Sequence, residues 1–284
     1  MKFLVLFFFL FSFTASAFDS EGNSGIKGPS YEKIKSDLSA LSKTHPENSA
    51  IFTYGKTKMG EDLMGILLVK KGINPKKLVL ITEVTHGDEY LNIADRLPVA
   101  FLEGENSPAM AFVERGGAIA IIPILNPDGY KLGQRENANN VDLNRDFSIP
   151  PLAEERFTQI ESNNLAKWVD GYLNETGADL TLTFDYHCCF CDILFSPWSH
   201  TRTLMPENDR QSHGQLGNLM TQFFPKLKYG AASELSWALI TGSSLDYWYS
   251  KYQPRSLAFE GCRKTEASRF DQHHAWWKSL FELL

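Results

Sequence analysis

Residues 78–89 of this 284-residue chain read LVLITEVTHGDE, and they decide what kind of fold the rest must form. The first seven, 78–84, are mostly apolar and β-branched and show no strict alternation of polar and apolar side chains. Such a run is typical of a strand that is covered on both faces by other elements. The residues that follow it, 85–89, are mostly polar and contribute nothing to a core, so we expect function at this strand end.

Further apolar runs and helical periods continue this pattern along the chain. They predict strands at 50–54, 63–69, 118–125, 180–186 and 256–259, and helices at 92–102, 160–173 and 215–224. A first helix follows Ser30, which can cap it, and a last one places Phe270, Trp277 and Phe281 on one side. Alternating strands and helices predict an α/β fold with a mixed, mostly parallel, twisted sheet and helices on both faces. We expect residues 30–284 to form this single domain, because they contain no stretch long enough to be a linker.

The composition excludes several classes of protein. With 43% hydrophobic and 22% charged residues, the chain has the make-up of a globular protein with a sizeable core. Its formal net charge is −6, and no run of Lys and Arg is longer than two residues. Nucleic acids and anionic membranes require a clustered basic face, so neither is an expected partner.

The amino terminus has the pattern of a secretory signal. Lys2 precedes an apolar run over residues 3–13, and small residues follow up to Ala17. We therefore predict a signal peptide over 1–17 and a flexible, Gly- and Ser-rich lead-in over 18–29, with no prodomain before the catalytic unit. Eleven apolar residues cannot span about 30 Å of hydrocarbon, so no membrane insertion is expected. The expected product is an exported monomer, periplasmic or secreted.

Export makes the four cysteines candidates for disulfide bonds: Cys188, Cys189, Cys191 and Cys262. Residues 184–195 are predicted to be strand, in which His187, Cys189 and Cys191 would share one face and Cys188 the other. A bond from Cys262 to one of these three cysteines is predicted, without a choice among them. Cys188 and Cys191 have CxxC spacing, but a redox motif of that kind opens a helix, which makes a disulfide oxidoreductase the weakest interpretation.

Three strand ends carry side chains that could share one metal ion. His86 and Glu89 follow the 78–84 run, His187 follows 180–186, and Glu260 follows 256–259. Two histidines and a carboxylate with one open position form a catalytic zinc set. A further glutamate can then serve as the general base for water.

The segment between these strand ends makes the pattern specific. Residues 126–130 read NPDGY, and residues 133–147 read GQRENANNVDLNRDF. Together with HxxE before them and a His and a late strand Glu after them, they give the chain a motif order that resembles the zinc carboxypeptidases of the M14 class. The resemblance extends over essentially the whole chain after the signal and includes GSSLD at 242–246. In HGDE and in 135–147 the chain looks most similar to the bacterial murein peptide amidases.

The resemblance implies the zinc carboxypeptidase fold and a role for each matching residue. One Zn²⁺ ion would be held by His86, Glu89 and His187. Glu260 would act as general base and then as general acid.

Four further residues receive roles from the same resemblance. Arg135 would stabilise the oxyanion at the scissile carbonyl. Asn144 and Arg145 would clamp the carboxylate of the departing residue, and Asp142 would orient His86.

The chain departs from that family at three positions. Asp88 stands where many members have Arg, and it would suit an ammonium such as that of diaminopimelate. The position of the family's mobile Tyr is Ala238, so that Trp237, Tyr247 and Tyr249 are the candidates for capping the substrate. Leu245 occupies the position that lines the side-chain pocket, and a neutral residue there does not support selectivity for Lys or Arg.

The predicted function is hydrolysis of a peptide or amide bond next to a residue with a free carboxylate, with murein peptides as a candidate substrate. One alternative is an N-acyl amino acid amidohydrolase of the aspartoacylase kind, which usually carries a further C-terminal β domain. The chain ends at Leu284, soon after Glu260, and this disfavours it. A second alternative is an ordinary carboxypeptidase with a neutral side-chain preference, and a third is a binding module with a relic site.

Overall fold

A computed structural model describes residues 28–148, 157–235, 239–262 and 265–284. The predicted signal peptide, 1–17, and the lead-in up to residue 27 lie outside the described residues. The helix predicted after Ser30 is confirmed: α1 spans Tyr31–Thr44, and the Ser30 side chain accepts the N–H of Lys33. Among the described residues, no helix is long and apolar enough to cross a membrane.

Eight strands form one sheet: β1 Ser49–Lys56, β2 Asp62–Leu68, β3 Lys77–Glu83, β4 Gly117–Ile122, β5 Asp179–Cys188, β6 Ile193–Ser196, β7 Lys228–Ala231 and β8 Arg255–Gly261. Their order across the sheet is β1-β2-β4-β3-β5-β8-β6-β7. The pairs β4–β3, β3–β5, β5–β8 and β6–β7 are parallel, whereas β1–β2, β2–β4 and β6–β8 are antiparallel. The predicted mixed, mostly parallel sheet is therefore confirmed.

Helices cover both faces of this sheet, as the continuous apolar strands require. The remaining helices are α2 Leu97–Glu103, α3 Pro108–Glu114, α4 Pro127–Leu132, α5 Ile160–Thr176, α6 Glu207–Thr221, α7 Ala232–Leu235, α8 Ser244–Tyr252 and α9 Phe270–Leu283. On one face, α1, α2, α3, α6 and α9 enclose a core that includes Phe101, Trp276 and Trp277. On the other face, α5 and α8 enclose a second core with Leu165 and Trp248.

The strand predicted over 184–195 is wrong in its second half. β5 ends at Cys188, and the chain turns at Cys191 and Asp192, whose φ angles are 54° and 56°. β6 then begins at Ile193. Cys189 and Cys191 consequently lie outside β5 and do not share a strand face with His187.

Two disulfides account for the four cysteines. Cys191 bonds to Cys262, which confirms one of the three pairings left open, and Cys188 bonds to its neighbour Cys189. The two cysteines with CxxC spacing are thus not bonded to each other.

The sheet brings the polar strand ends together. β3, β5 and β8 are adjacent and parallel, so their carboxyl ends meet at one edge. In the register of β5 and β8, His187 is the partner of Glu260. The loop after β3, which carries His86 and Glu89, begins at the same edge.

Candidate metal centre and active site

Three side chains predicted to be metal ligands meet at this edge. Nδ1 of His86 lies 2.9 Å from Oε2 of Glu89, and Nδ1 of His187 lies 3.0 Å from the same oxygen. The two Nδ1 atoms are 3.2 Å apart, and all three residues are buried. Across the part of the chain that the structure describes, this is the one such trio placed to hold a metal ion.

The geometry of these donors fits zinc. Ligand atoms about 2.0–2.1 Å from a tetrahedral zinc ion lie roughly 3.3 Å from one another, close to the separations found here. Nε2 of His86 bonds to Oδ1 of Asp142 at 3.0 Å, and Nε2 of His187 bonds to Oδ2 of Asp185 at 2.9 Å. Because each Nε2–H can donate to a carboxylate, each Nδ1 keeps its lone pair for an ion.

The charge around these donors also favours a cation. Burial alone would raise the pKa of Glu89, but hydrogen bonds with His187 and His86 outweigh it and hold that pKa well below its usual range. Burial alone would lower the pKa of His187, but Asp185 and Glu89 raise it well above the usual value. The carboxylates that contact the two imidazoles are those of Glu89, Asp142 and Asp185, and the guanidinium of Arg135 contacts the first two of them. If the imidazoles are neutral, two negative charges remain, which a dication neutralises.

Arg135 contacts the predicted ligand Glu89 and also Asp142, the partner of His86. Its Nη1 donates to Oε1 of Glu89 at 3.0 Å, and its Nη2 and Nε donate to Oδ2 of Asp142 at 2.9 and 3.2 Å. The side chain is 38% exposed, so one part of it faces the solvent side of the site. A guanidinium held in this way is suited to stabilise negative charge that develops on a substrate oxygen.

The segment that carries Arg135 is fixed by the loop after β4. Asn126 accepts the N–H of Gly129 at 2.9 Å and donates to the carbonyl of Arg135 at 3.3 Å. The same carbonyl accepts the N–H of Gly87 at 3.1 Å. A Cβ atom on Gly87 would lie 2.1 Å from the backbone carbon of Gly129, so this close approach requires glycine.

Glu260 stands beside the three donors with the properties of a general base. It is the register partner of His187, and its Oε2 is buried with no hydrogen-bond partner among the described residues. Burial raises its pKa, the charge of Glu89 adds to this, and His187 and His86 oppose it. A carboxylate with a buried, unpartnered oxygen and a raised pKa is suited to accept a proton from water.

The predicted carboxylate clamp lies on a 3-10 turn, Leu143–Arg145. Oδ1 of Asp142 accepts the N–H of Asn144 at 2.9 Å, so one aspartate positions both the clamp and His86. Oδ1 of Asn144 accepts the N–H of Ser244 at 2.9 Å. Arg145 is exposed, and its Nη1 donates to the carbonyl of Asn144 at 2.8 Å.

A cavity of about 70 Å³ is lined by Asn144, His187 and Glu260. The rest of its lining is uncharged and includes Phe195, Ser199, Ile240, Leu245 and Ala258. Leu245 therefore lies where a substrate side chain could be bound, as the resemblance implies. A larger cavity of about 610 Å³ is lined by the amino ends of β5 and β8, away from these residues.

The aromatic residues considered for capping the substrate are engaged elsewhere. The hydroxyl of Tyr247 accepts a hydrogen bond from Lys251 at 3.0 Å, and its ring packs on Phe147. Tyr249 donates to Asp209 at 2.6 Å. Trp237 and Ala238 lie outside the described residues.

One residue of the site, Asp185, was not predicted from the sequence. Asp185, two positions before His187 on the same face of β5, is buried and accepts hydrogen bonds from Thr82 at 2.8 Å and Ser244 at 3.0 Å as well as contacting His187. It thereby links one predicted metal ligand to the segment that binds Asn144. The available signal was an acidic residue inside an otherwise apolar strand.

Comparison with known proteins finds related sequences and similar folds. The carboxypeptidase A6 of Mus musculus is 23% identical in an alignment of 261 positions that covers 81% of this chain and 59% of that protein. The chain thus spans less than two thirds of the length of this relative. Among solved structures, carboxypeptidase A from Helicoverpa armigera superposes with a TM-score of 0.71 at 18% identity, over 89% of this chain and 72% of that one. Murein-tripeptide amidase MpaA from Escherichia coli O157 superposes with a TM-score of 0.53 at 20% identity, over 82% and 91%.

These superpositions show that the fold is shared, and the sequence match identifies the family. The sequence profile described as zinc carboxypeptidase (Peptidase_M14) matches residues 34–272, which is most of the chain. The chain therefore belongs to the M14 zinc carboxypeptidase family.

Proposed function

We propose that this chain is a zinc metallocarboxypeptidase that hydrolyses the peptide or amide bond next to a residue with a free carboxylate. The observation that carries the proposal is the convergence of His86, Glu89 and His187 beside the buried, unpartnered oxygen of Glu260. Three donors for one ion and an adjacent base are what metal-assisted hydrolysis requires.

Each residue of the site then has a chemical task. A zinc ion held by the three donors supplies Lewis-acid chemistry. Glu260 takes a proton from the attacking water and returns it to the leaving amine. Arg135 stabilises the charge that develops on the carbonyl oxygen. Asn144 and Arg145 bind the terminal carboxylate of the substrate and so place the bond next to the last residue beside the zinc ion and Glu260.

The direct test uses a matched pair of peptides, one with a free C-terminal carboxylate and one with an amidated C-terminus. We expect the purified protein to release the last residue of the first peptide only, because the clamp has no carboxylate to bind in the second. A chelator should abolish the release, and one equivalent of zinc should restore it. Equal hydrolysis of both peptides would contradict the clamp.

The cavity indicates which side chain the departing residue carries. Apart from Glu260 and His187, the residues that line this cavity are uncharged. We therefore propose a preference for neutral C-terminal residues. Peptides that differ only in a final Ala, Val, Lys or Glu test this, and faster release of Lys than of Ala would contradict it.

A second candidate substrate is a murein peptide. It is supported by Asp88, whose carboxylate lies next to Glu89 in sequence and could attract the ammonium of diaminopimelate. The likeness of the fold to the murein-tripeptide amidase is consistent with it. Turnover of L-Ala-γ-D-Glu-diaminopimelate should then exceed that of an ordinary C-terminal peptide. An N-acylated amino acid is the third substrate to compare, and fastest turnover of that compound would favour the amidohydrolase alternative.

We further propose that the protein is exported. The support is the signal pattern over residues 1–17 and the two disulfides, which persist in oxidising compartments. Expression of the full chain should give a mature amino terminus at Phe18 outside the cytoplasm. Recovery of an uncut chain from the cytoplasm would contradict export.

A further inference from the structure

Glu83, the last residue of β3, is fully buried and lies three positions before His86. Its carboxylate accepts four backbone N–H groups. Oε1 accepts those of Leu91 and Asn92, at 2.5 and 3.1 Å. Oε2 accepts those of Ile93 and Ala94, at 3.3 and 2.6 Å.

These four N–H groups follow directly on the segment that holds two predicted metal ligands. Residues 84–93 form neither helix nor strand, so their backbone groups need other partners. At the start of the segment, the N–H of Gly87 donates to the carbonyl of Arg135. At its end, the acceptor for residues 91–94 is the carboxylate of Glu83. Glu89 is thus held between two anchors, one on each side.

The four N–H groups that donate to Glu83 favour the ionised form of its carboxylate, whereas its surroundings oppose that form. Burial and the charge of Asp95 raise the pKa of Glu83 to about 8, and the N–H groups of Ala94, Leu91 and Ile93 lower it. Each of the four N–H groups can donate only to an acceptor oxygen, so they stabilise the carboxylate more than the protonated acid. No cation contacts this carboxylate among the described residues, and the N–H groups alone stabilise its charge.

We propose that Glu83 is a positioning residue for the metal centre: by fixing the loop that carries Glu89, it sets the affinity of the site for zinc. The proposal rests on the proposed zinc function, because it concerns the same ion. Glu83 itself touches neither the predicted donor atoms nor the cavity. Its effect is transmitted through the backbone of residues 89–94.

The test measures the zinc dissociation constant of the full chain by competition with a chromophoric chelator, at a pH above the Glu83 pKa of about 8, where its carboxylate is ionised. In Glu83→Gln the amide keeps one acceptor oxygen but turns an NH₂ group toward N–H donors, so the loop loses its anchor. We expect the Kd for zinc to rise about 10–100-fold, as is typical when a group that supports a ligand is changed. Glu83→Asp keeps the charge but is one methylene shorter, and it should recover part of the affinity.

The matched control is Glu161→Gln. Glu161 is also a buried glutamate, but its carboxylate accepts from Asn137 and makes no contact with residues 84–94. This variant should lose thermal stability and keep the wild-type Kd for zinc. The absorption spectrum of the cobalt-substituted protein should change in Glu83→Gln and stay unchanged in the control.

Two results would overturn the proposal: a Glu83→Gln protein that binds zinc as tightly as wild type, or an equal loss of affinity in Glu161→Gln. If Glu83→Gln does not accumulate as folded protein, Glu83→Asp decides, since its Kd must exceed that of the control. Failure of the proposed function looks different, because the wild-type protein itself would then bind zinc no better than His86→Ala.

Discussion

At the scale of single residues, a substitution at Glu260 distinguishes proton transfer during catalysis from binding of the zinc ion. Its free oxygen and raised pKa suit proton transfer, and it is not one of the three predicted donors. Glu260→Gln keeps the shape and removes the base. We expect kcat to fall by about 10²–10⁴-fold, the usual contribution of general acid–base catalysis, with the Kd for zinc unchanged. Steady-state kinetics measures kcat, and chelator competition on the same preparation measures the Kd for zinc. A raised Kd would instead indicate that Glu260 is a zinc ligand.

Gly87 lies between the two predicted ligands of the loop and tests how tightly that loop is packed. A Cβ atom there would meet the carbonyl oxygen of Gln134 at 2.5 Å as well as the backbone of Gly129. Backbone atoms cannot rotate away, so Gly87→Ala should lower the free energy of unfolding by about 1–3 kcal/mol. The control is Gly171→Ala in α5, where nothing lies within 4 Å of the added atom. That variant should gain about 0.5–1 kcal/mol from helix propensity, and urea denaturation measures both.

At the scale of elements, α6 and β8 are joined by a histidine whose protonation weakens the contact. Nε2 of His213 accepts the N–H of Ser256 at 3.1 Å, and its Nδ1 faces the carbonyl of Asp209 at 2.7 Å. These two partners require the neutral ring with its proton on Nδ1. Burial lowers the pKa of His213 below its ordinary 6.5, and Arg255 also lowers it, while the carbonyl and charge of Asp209 oppose them.

The sign of the pH dependence follows from that lowered pKa. Below about pH 6.5 the unfolded chain takes up a proton at His213 that the native protein resists, so acid destabilises the fold. The free energy of unfolding should fall by up to about 1.4 kcal/mol per pH unit as the pH drops through this range. His213→Gln does not titrate and should show a shallower slope, and His273 and His274, whose pKa values burial also lowers, contribute to the slope that remains. An unchanged slope in the variant would assign the acid sensitivity to other groups.

Strands and helices whose bounds follow from their own apolar pattern were predictable. Bounds that depend on residues distant in the sequence were not. The central strands read directly from runs such as 78–84, because burial on both faces selects continuous apolar residues. The helix predicted from 92 begins only at Leu97, since the N–H groups of 91–94 bind Glu83 and Pro98 stands in the first turn. The turn that ends the predicted strand contains Cys191, which bonds to Cys262, a distant partner that local sequence does not reveal.

The candidate site divides in the same way. His86, Glu89 and His187 were predictable, because strand ends of a parallel sheet converge and these residue types bind metals. Asp185 and Glu83 were not predictable, because each is an acidic side chain inside an apolar strand. Their roles depend on the groups that they bind in the folded protein. Asp185 binds Ser244, and Glu83 binds a loop that is visible only once the chain is folded.

At the scale of the whole molecule, the Cys191–Cys262 disulfide ties the turn after β5 to the end of β8 across 71 residues. Closing so long a loop restricts the unfolded chain, and it should stabilise the native state by about 2–4 kcal/mol. The pair Cys188–Cys189 is the internal control, because bonded neighbours close almost no loop. A Cys191→Ser/Cys262→Ser variant should therefore unfold several degrees below wild type, whereas Cys188→Ser/Cys189→Ser should change the melting temperature far less. Calorimetry of both variants, compared with wild type under oxidising and reducing conditions, measures this. Equal losses would show that local packing, and not loop closure, governs how the bond stabilises the fold.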